Sequence, residues 1–209
     1  MTAYRSIYTR NEDRDWLPFD VLGRNEAELL VGIKNELHQA ALGENIRVLC
    51  GSTAVTHGAL PVEGVDEVAG ASYVLGDWGL AQMGVSKVDD IAVGVVATVV
   101  SNTGGVVTID AGSNIFGRWD PYPGIAEPVV ASTPDGHLQF RGMDGGLAWS
   151  ETVEGRIPQV GSRVFVYPGH ISELVNVPGG FFVVDASGHL VDNWPRLSTG
   201  YYSPDAPII

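Results

Sequence analysis

Apolar residues recur at Leu29, Leu30, Ile33, Leu37 and Ala41, and this 3.6-residue stripe predicts a helix over Asn25–Leu42. Asn25 suits its N-cap, with Glu26 and Glu28 behind it, and Gly43 suits its C-terminal stop. Ahead of it, residues 1–19 are polar and charged, and Asn11-Glu12-Asp13-Arg14-Asp15 reads as a solvated turn. After it, Ile46-Arg47-Val48-Leu49-Cys50 reads as a short strand running into the small-residue turn Gly51-Ser52-Thr53.

From Gly64 onward the helical period gives way to short runs of β-branched residues. Strands are predicted at Tyr73–Leu75, Ile91–Ser101, Val106–Asp110, Val129–Ser132, Leu138–Arg141, Arg163–Tyr167 and Phe181–Asp185. Turns at Asn102-Thr103-Gly104-Gly105, Pro134-Asp135-Gly136 and Asp185-Ala186-Ser187-Gly188 separate several of them. Gly76–Gly84 is the one short stretch here with helical character. The expected fold is mainly β: residues 1–60 form a short α/β segment, and residues 61–209 a β-barrel or sandwich domain.

Composition narrows the partners. Twelve basic against 25 acidic residues give a net charge of −13, which repels nucleic acid and anionic membrane surfaces. The longest apolar run, Ile91–Val100, is half the length of a membrane-spanning helix, so no membrane span is expected. Cys50 is the single cysteine, which excludes an intrachain disulfide and a multi-cysteine zinc site. With no signal-peptide pattern, the expected location is cytoplasmic.

Common catalytic signatures are absent: there is no P-loop, no dinucleotide fingerprint, no paired cysteines and no nucleophile elbow. Several weaker candidates remain. Gly51-Ser52-Thr53 has the small residues and hydroxyls that suit a phosphate, and equally the composition of a plain turn. His170, behind the apolar run Val164-Phe165-Val166-Tyr167, is either a metal ligand or a structural histidine bonded to backbone. Glu151 and Glu154 are an acid/base pair or a solvated surface. Trp119, Tyr122 and Trp149 are pocket lining or core and turn aromatics.

Taken in order, a series of elements resembles one family. They are Cys50-Gly51-Ser52-Thr53, Glu67-Val68, Ser72-Tyr73-Val74 with Asp77, Ala97 to Ser101 and Asp110-Ala111-Gly112-Ser113. Tyr167-Pro168-Gly169-His170 with Asn176 and Val191-Asp192-Asn193-Trp194-Pro195 complete the series. They are similar to the D-serine dehydratase and D-threonine aldolase family, pyridoxal-phosphate enzymes of the alanine-racemase fold type. The resemblance implies that Asn25–Thr53 is the last helix and last strand of a (β/α)8 barrel, and that the β-domain begins at Gly64. It implies pyridoxal phosphate as cofactor, with Gly51, Ser52 and Thr53 at its phosphate.

The resemblance also implies a metal ligand at His170, whose partner position is a cysteine or aspartate in the family and is Ser172 here. A hydroxyl is a poor ligand for zinc or manganese, so any divalent metal should bind weakly, or with help from Glu173. The family's Glu-His-Gly stretch reads Glu154-Gly155 without the histidine. Neither lysine of the chain, Lys34 or Lys87, matches the family's Schiff-base lysine. The chain is therefore expected to be the C-terminal portion of a pyridoxal-phosphate amino-acid lyase or aldolase, incomplete as a catalyst. It would act as a homodimer or with a barrel-bearing chain; the alternative is a non-catalytic, dimerising β-domain protein.

Overall fold

A computed structural model describes residues 18–116, 130–133, 136–175 and 179–195 of the chain. The turn at 11–15, the Pro134-Asp135 turn, Trp119, Tyr122 and Asn176 lie outside the described residues.

The first helix, α1 (Phe19–Gln39), starts six residues before the predicted Asn25 and is capped by Pro18. The apolar pattern extends backward through Phe19 and Leu22, and Asp20 places a negative charge in the first turn, where the helix dipole favours it. The C-terminus also differs from expectation. Ala41, at φ 55°, takes the left-handed position; the Leu42 amide bonds the Leu37 carbonyl at 2.9 Å, so the helix closes before Gly43 is reached. Its buried face is not the whole apolar stripe: Leu22, Gly23 and Ala27 are buried, whereas Leu29 is 65% and Ile33 44% exposed.

Strand β1 (Leu49–Gly51) is followed by the single-turn α2 (Thr56–Ala59) and by β2 (Glu67–Ala69), which pairs with β1 in parallel. This parallel pair joins residues on both sides of position 60. Gly23 and Gly58 let α1 and α2 cross closely, since a Cβ at either would overlap the carbonyl of Val55 or Asp20 respectively. Ala27, Val48, Cys50 and Ala59 form the small core between helices and sheet.

The predicted strand Tyr73–Leu75 is a 3-10 turn (Ser72–Val74), with Tyr73 and Val74 exposed rather than packed on a sheet. Helix α3 (Trp78–Gln82) falls within the predicted Gly76–Gly84, and a second 3-10 turn (Val88–Asp90) leads to the β-domain.

There β3 (Val95–Thr103), β4 (Val106–Ile109), β5 (Val130–Thr133), β6 (Gly136–Met143), β7 (Ala148–Gly155) and β8 (Arg163–Val166) close into an antiparallel barrel. Their order is β3-β4-β7-β6-β5-β8. Gly104 and Gly105, both at positive φ, make the two-residue turn between Thr103 and its partner Val106. Inward residues alternate along the strands, as in buried Val164 and Val166 against exposed Arg163 and Phe165. They fill the barrel with Val99, Val107, Ile109, Leu138 and Phe140 among others.

The stretch around Glu151 and Glu154 is strand β7, not irregular chain, because it pairs with both β6 and β4. Outside the barrel lie the short helices α4 (Ser113–Phe116) and α5 (Ile171–Leu174). A hairpin of β9 (Gly180–Val184) and β10 (Leu190–Pro195) follows.

Candidate functional site

Gly70 follows directly on the C-terminal end of β2, and Thr53 stands two residues beyond that of β1, the end of a parallel sheet at which α/β folds bind their ligands. A cavity of about 630 Å3 opens there, with Thr53, Thr56, Gly70, Tyr73, Ser86 and Asp90 in its lining. That volume suits a small-molecule ligand. His57 also borders it.

Hydrogen bonds fix the walls. The Thr53 hydroxyl accepts from the Ser72 amide at 2.9 Å, tying the turn after β1 to the turn after β2. The Thr56 hydroxyl donates to the Ser52 carbonyl at 2.9 Å. Gly70 lets the walls approach: a Cβ there would press to 3.3 Å from the Tyr73 ring and 3.4 Å from the Thr56 hydroxyl. The Ser86 hydroxyl, from another lining residue, is buried and has no partner among the described residues. A buried hydroxyl without a partner is costly, and a ligand atom would satisfy it.

Of the three residues picked out from sequence, Thr53 lines this cavity. Ser52 does not line it; its carbonyl accepts from the Thr56 hydroxyl. Gly51 serves the sheet, since a Cβ there would stand 2.6 Å from the Ala69 carbonyl of β2.

His170 is positioned by a second, buried construction. Asp77, fully buried, accepts from the Leu80 amide at 2.8 Å as the N-cap of α3, and from the Ile171 amide at 3.1 Å. The Trp78 and Gly79 amides donate to the carbonyls of Pro168 and Gly169 at 2.9 and 3.1 Å. Trp78 also stacks on Tyr167, with ring centroids 6.2 Å apart. The Pro168-Gly169-His170 loop is thereby pinned to the start of α3. Burial pushes the Asp77 carboxyl above its ordinary value, against the pull of both amides and of His170.

The donor set at His170 does not fit a tightly held metal. Its Nδ1 accepts from the Ser172 amide at 3.3 Å, whereas a ligating imidazole ordinarily donates its second nitrogen to an acceptor. Among the described residues no three His, Cys, Asp or Glu side chains converge on a metal position.

Neither lysine lines the cavity. Lys34 bonds Asp66 at 2.9 Å on the flank of the α/β segment, and Lys87 precedes the second 3-10 turn. Tyr73, Thr56, His57 and Ser86 were not singled out as site residues from sequence. Only Asp77 carried a signal, an aspartate three residues before an apolar position at the start of a short helical stretch.

A parallel βα segment ending in this cavity, joined to a six-stranded antiparallel barrel, defines the class: the fold is that of alanine-racemase-like proteins. The D-threo-3-hydroxyaspartate dehydratase from Delftia sp. HT23 superposes with a TM-score of 0.70 at 22% identity, over 93% of this chain and 54% of that one. An alanine racemase-like protein from Idiomarina loihiensis gives 0.70 at 19% identity, over 92% and 53%. The D-threonine aldolase from Filomicrobium marinum gives 0.66 at 16% identity, over 84% and 46%. The chain thus spans about half the length of the solved structures it matches. No family model matches it, and no curated protein does.

Proposed function

We propose that this chain is the C-terminal, phosphate-holding portion of a pyridoxal-phosphate-dependent amino-acid lyase or aldolase. The observation that carries the reading is the cavity lined by Thr53, Thr56, Gly70 and Tyr73, at the C-terminal ends of two parallel strands. The dehydratase and aldolase among the matched structures support it.

When bound, pyridoxal phosphate supplies an electron sink for a carbanion at an amino-acid α-carbon. The residues of this chain do the holding. The Thr56 and Thr53 hydroxyls border the phosphate position beside Gly70, and Ser86 offers a hydroxyl that has no partner among the described residues. The Tyr73 ring flanks the opening. Neither Lys34 nor Lys87 lines the cavity, so the lysine that anchors the cofactor comes from outside this sequence. The single cysteine is free and buried, in keeping with a cytoplasmic setting.

Equilibrium dialysis against pyridoxal phosphate and against pyridoxal tests the reading. The phosphorylated form should be retained at least ~10-fold more tightly, with inorganic phosphate competing. The visible absorbance of a lysine-bound cofactor should appear only once a lysine-bearing portion is supplied. Equal retention of the two compounds, or no visible band with that portion present, sinks it.

One observation favours a second reading, a dimerising β-domain without catalysis. The outer face of the β9–β10 hairpin shows Phe182, 75% exposed, beside exposed Val184 and Leu190. Self-association that is abolished by Phe182→Glu, in a chain with no preference for pyridoxal phosphate, would select this second reading.

A further inference from the structure

Resting on the functional reading above, we infer that His57 is the charge partner of the phosphate in this cavity, the residue that makes it select a phosphorylated compound, and that Asp90 opposes it.

A phosphate monoester carries about 1.5–2 negative charges at neutral pH, and taking that charge out of water is costly unless opposite charge and donors meet it. Among the described residues the lining holds no lysine or arginine; its basic side chain is His57 and its carboxylate is Asp90. The hydroxyls do not make up the difference. Thr56 spends its proton on the Ser52 carbonyl at 2.9 Å and has only lone pairs left, which a phosphate oxygen repels. Thr53 accepts from the Ser72 amide and keeps its own proton to donate, and Ser86 and Tyr73 add further hydroxyls. These donors are neutral, so the charge is left to His57, against the carboxylate of Asp90.

The local fold presents the imidazole. Of the four residues of α2, Gly58 and Ala59 are buried. A Cβ at Gly58 would overlap the Asp20 carbonyl of α1, and Ala59 belongs to the small core. Thr56 and His57 are the two that line the cavity. The turn is held by the Gly58 and Ala59 amides on the Val55 carbonyl, at 3.1 and 3.3 Å, and Val55 is itself buried. His57 thus reaches the cavity from an anchored turn while remaining exposed, so its replacement leaves the core untouched. An imidazole offers an N–H in either protonation state, and a phosphate beside it favours the charged one. Asp90 is fixed by the Lys87 amide, which donates to its carboxylate at 2.9 Å.

Equilibrium dialysis with pyridoxal phosphate, pyridoxal and inorganic phosphate tests the assignment. His57→Gln should hold pyridoxal phosphate and inorganic phosphate ~10-fold more weakly and pyridoxal as before. His57→Lys should restore both phosphate compounds to the parent's retention or better. Asp90→Asn, which keeps an acceptor for the Lys87 amide, should tighten both ~3-fold.

Retention of the phosphate compounds that is indifferent to His57→Gln overturns the assignment. So does a loss that His57→Lys does not restore, or one shared equally by pyridoxal, which would mark shape rather than charge. Inorganic phosphate held through His57, with pyridoxal phosphate gaining nothing over pyridoxal, leaves His57 as an anion-binding residue and removes the cofactor reading instead. A parent chain that retains neither phosphate compound overturns both.

Discussion

Asp77→Ala tests whether the histidine loop and the cavity wall are held by one side chain. Asp77 is fully buried, and its two oxygens take the amides of Leu80 and Ile171, residues 94 positions apart in the second case. Loss of the N-cap costs about 1 kcal/mol. Leaving the Ile171 amide buried without an acceptor costs about 1–3 kcal/mol more. The variant should therefore unfold about 2–4 kcal/mol more easily in urea and melt roughly 5–15 °C lower. Asp77→Asn keeps one acceptor and turns an amide donor toward a backbone donor, so it should fall between the two. The pH dependence separates charge from geometry. Burial raises the Asp77 carboxyl, so the folded state holds its proton more tightly than the unfolded chain does. The contribution to stability is greatest below the ordinary carboxylate range and declines as pH rises through the raised value. Asp77→Asn should lack that decline. An alanine variant within ~0.5 kcal/mol of the parent, or an asparagine variant with the parent's pH slope, refutes the argument.

The remaining predictions concern packing, a surface carboxylate and the metal. Gly112→Ala would drive a Cβ into the Asp144 carbonyl and Leu147 backbone, and should destabilise the barrel by about 1–3 kcal/mol, while Gly146→Ala, with open space around it, should melt at the parent's temperature or above it. Calorimetry of the pair decides, and equal melting of the two would contradict the packing at Gly112. Asp66 is held below the usual carboxylate range by the Val48 amide at 2.7 Å and by Lys34. Its contribution is present above the ordinary carboxylate pKa and lost as pH falls through the depressed value, so Asp66→Asn should flatten acid unfolding, and an unchanged acid limb would count against it. Ser172→Cys should raise zinc affinity measured by chelator competition, because thiolate replaces hydroxyl beside His170; unchanged affinity would return His170 to a purely structural role.

The β-domain was legible because its strands alternate with period two and its turns are written in glycine, as at Gly104-Gly105 in the barrel and Gly188 in the β9–β10 hairpin. Where pairing rather than pattern makes the strand, the sequence was silent. Strand β7 looks irregular until β4 and β6 hold it on both sides, and β2 is three residues that only β1 turns into a strand. Tyr73 misled for the opposite reason: a β-branched and aromatic run suggests a strand, but the Ser72 amide is taken by Thr53 and the chain turns instead. The apolar stripe of α1 marks the helix but not its buried face, and Leu29 and Ile33 are exposed among the described residues. The site was legible only in part. Thr53 stood in a recognisable turn, whereas Ser86 and His57 belong to the cavity solely through tertiary placement.

The two walls of the cavity differ in what supports them. Ser86 and Asp90 lie on the approach to β3, which is fixed in a closed barrel. Thr53 and Gly70 hang from a parallel pair with one open face and little core beyond Ala27, Val48, Cys50 and Ala59. Local stability follows buried apolar contact, so the second wall should exchange its amides faster than the first. Hydrogen exchange at Cys50–Gly51 as slow as at Val95–Val99 would contradict that ordering.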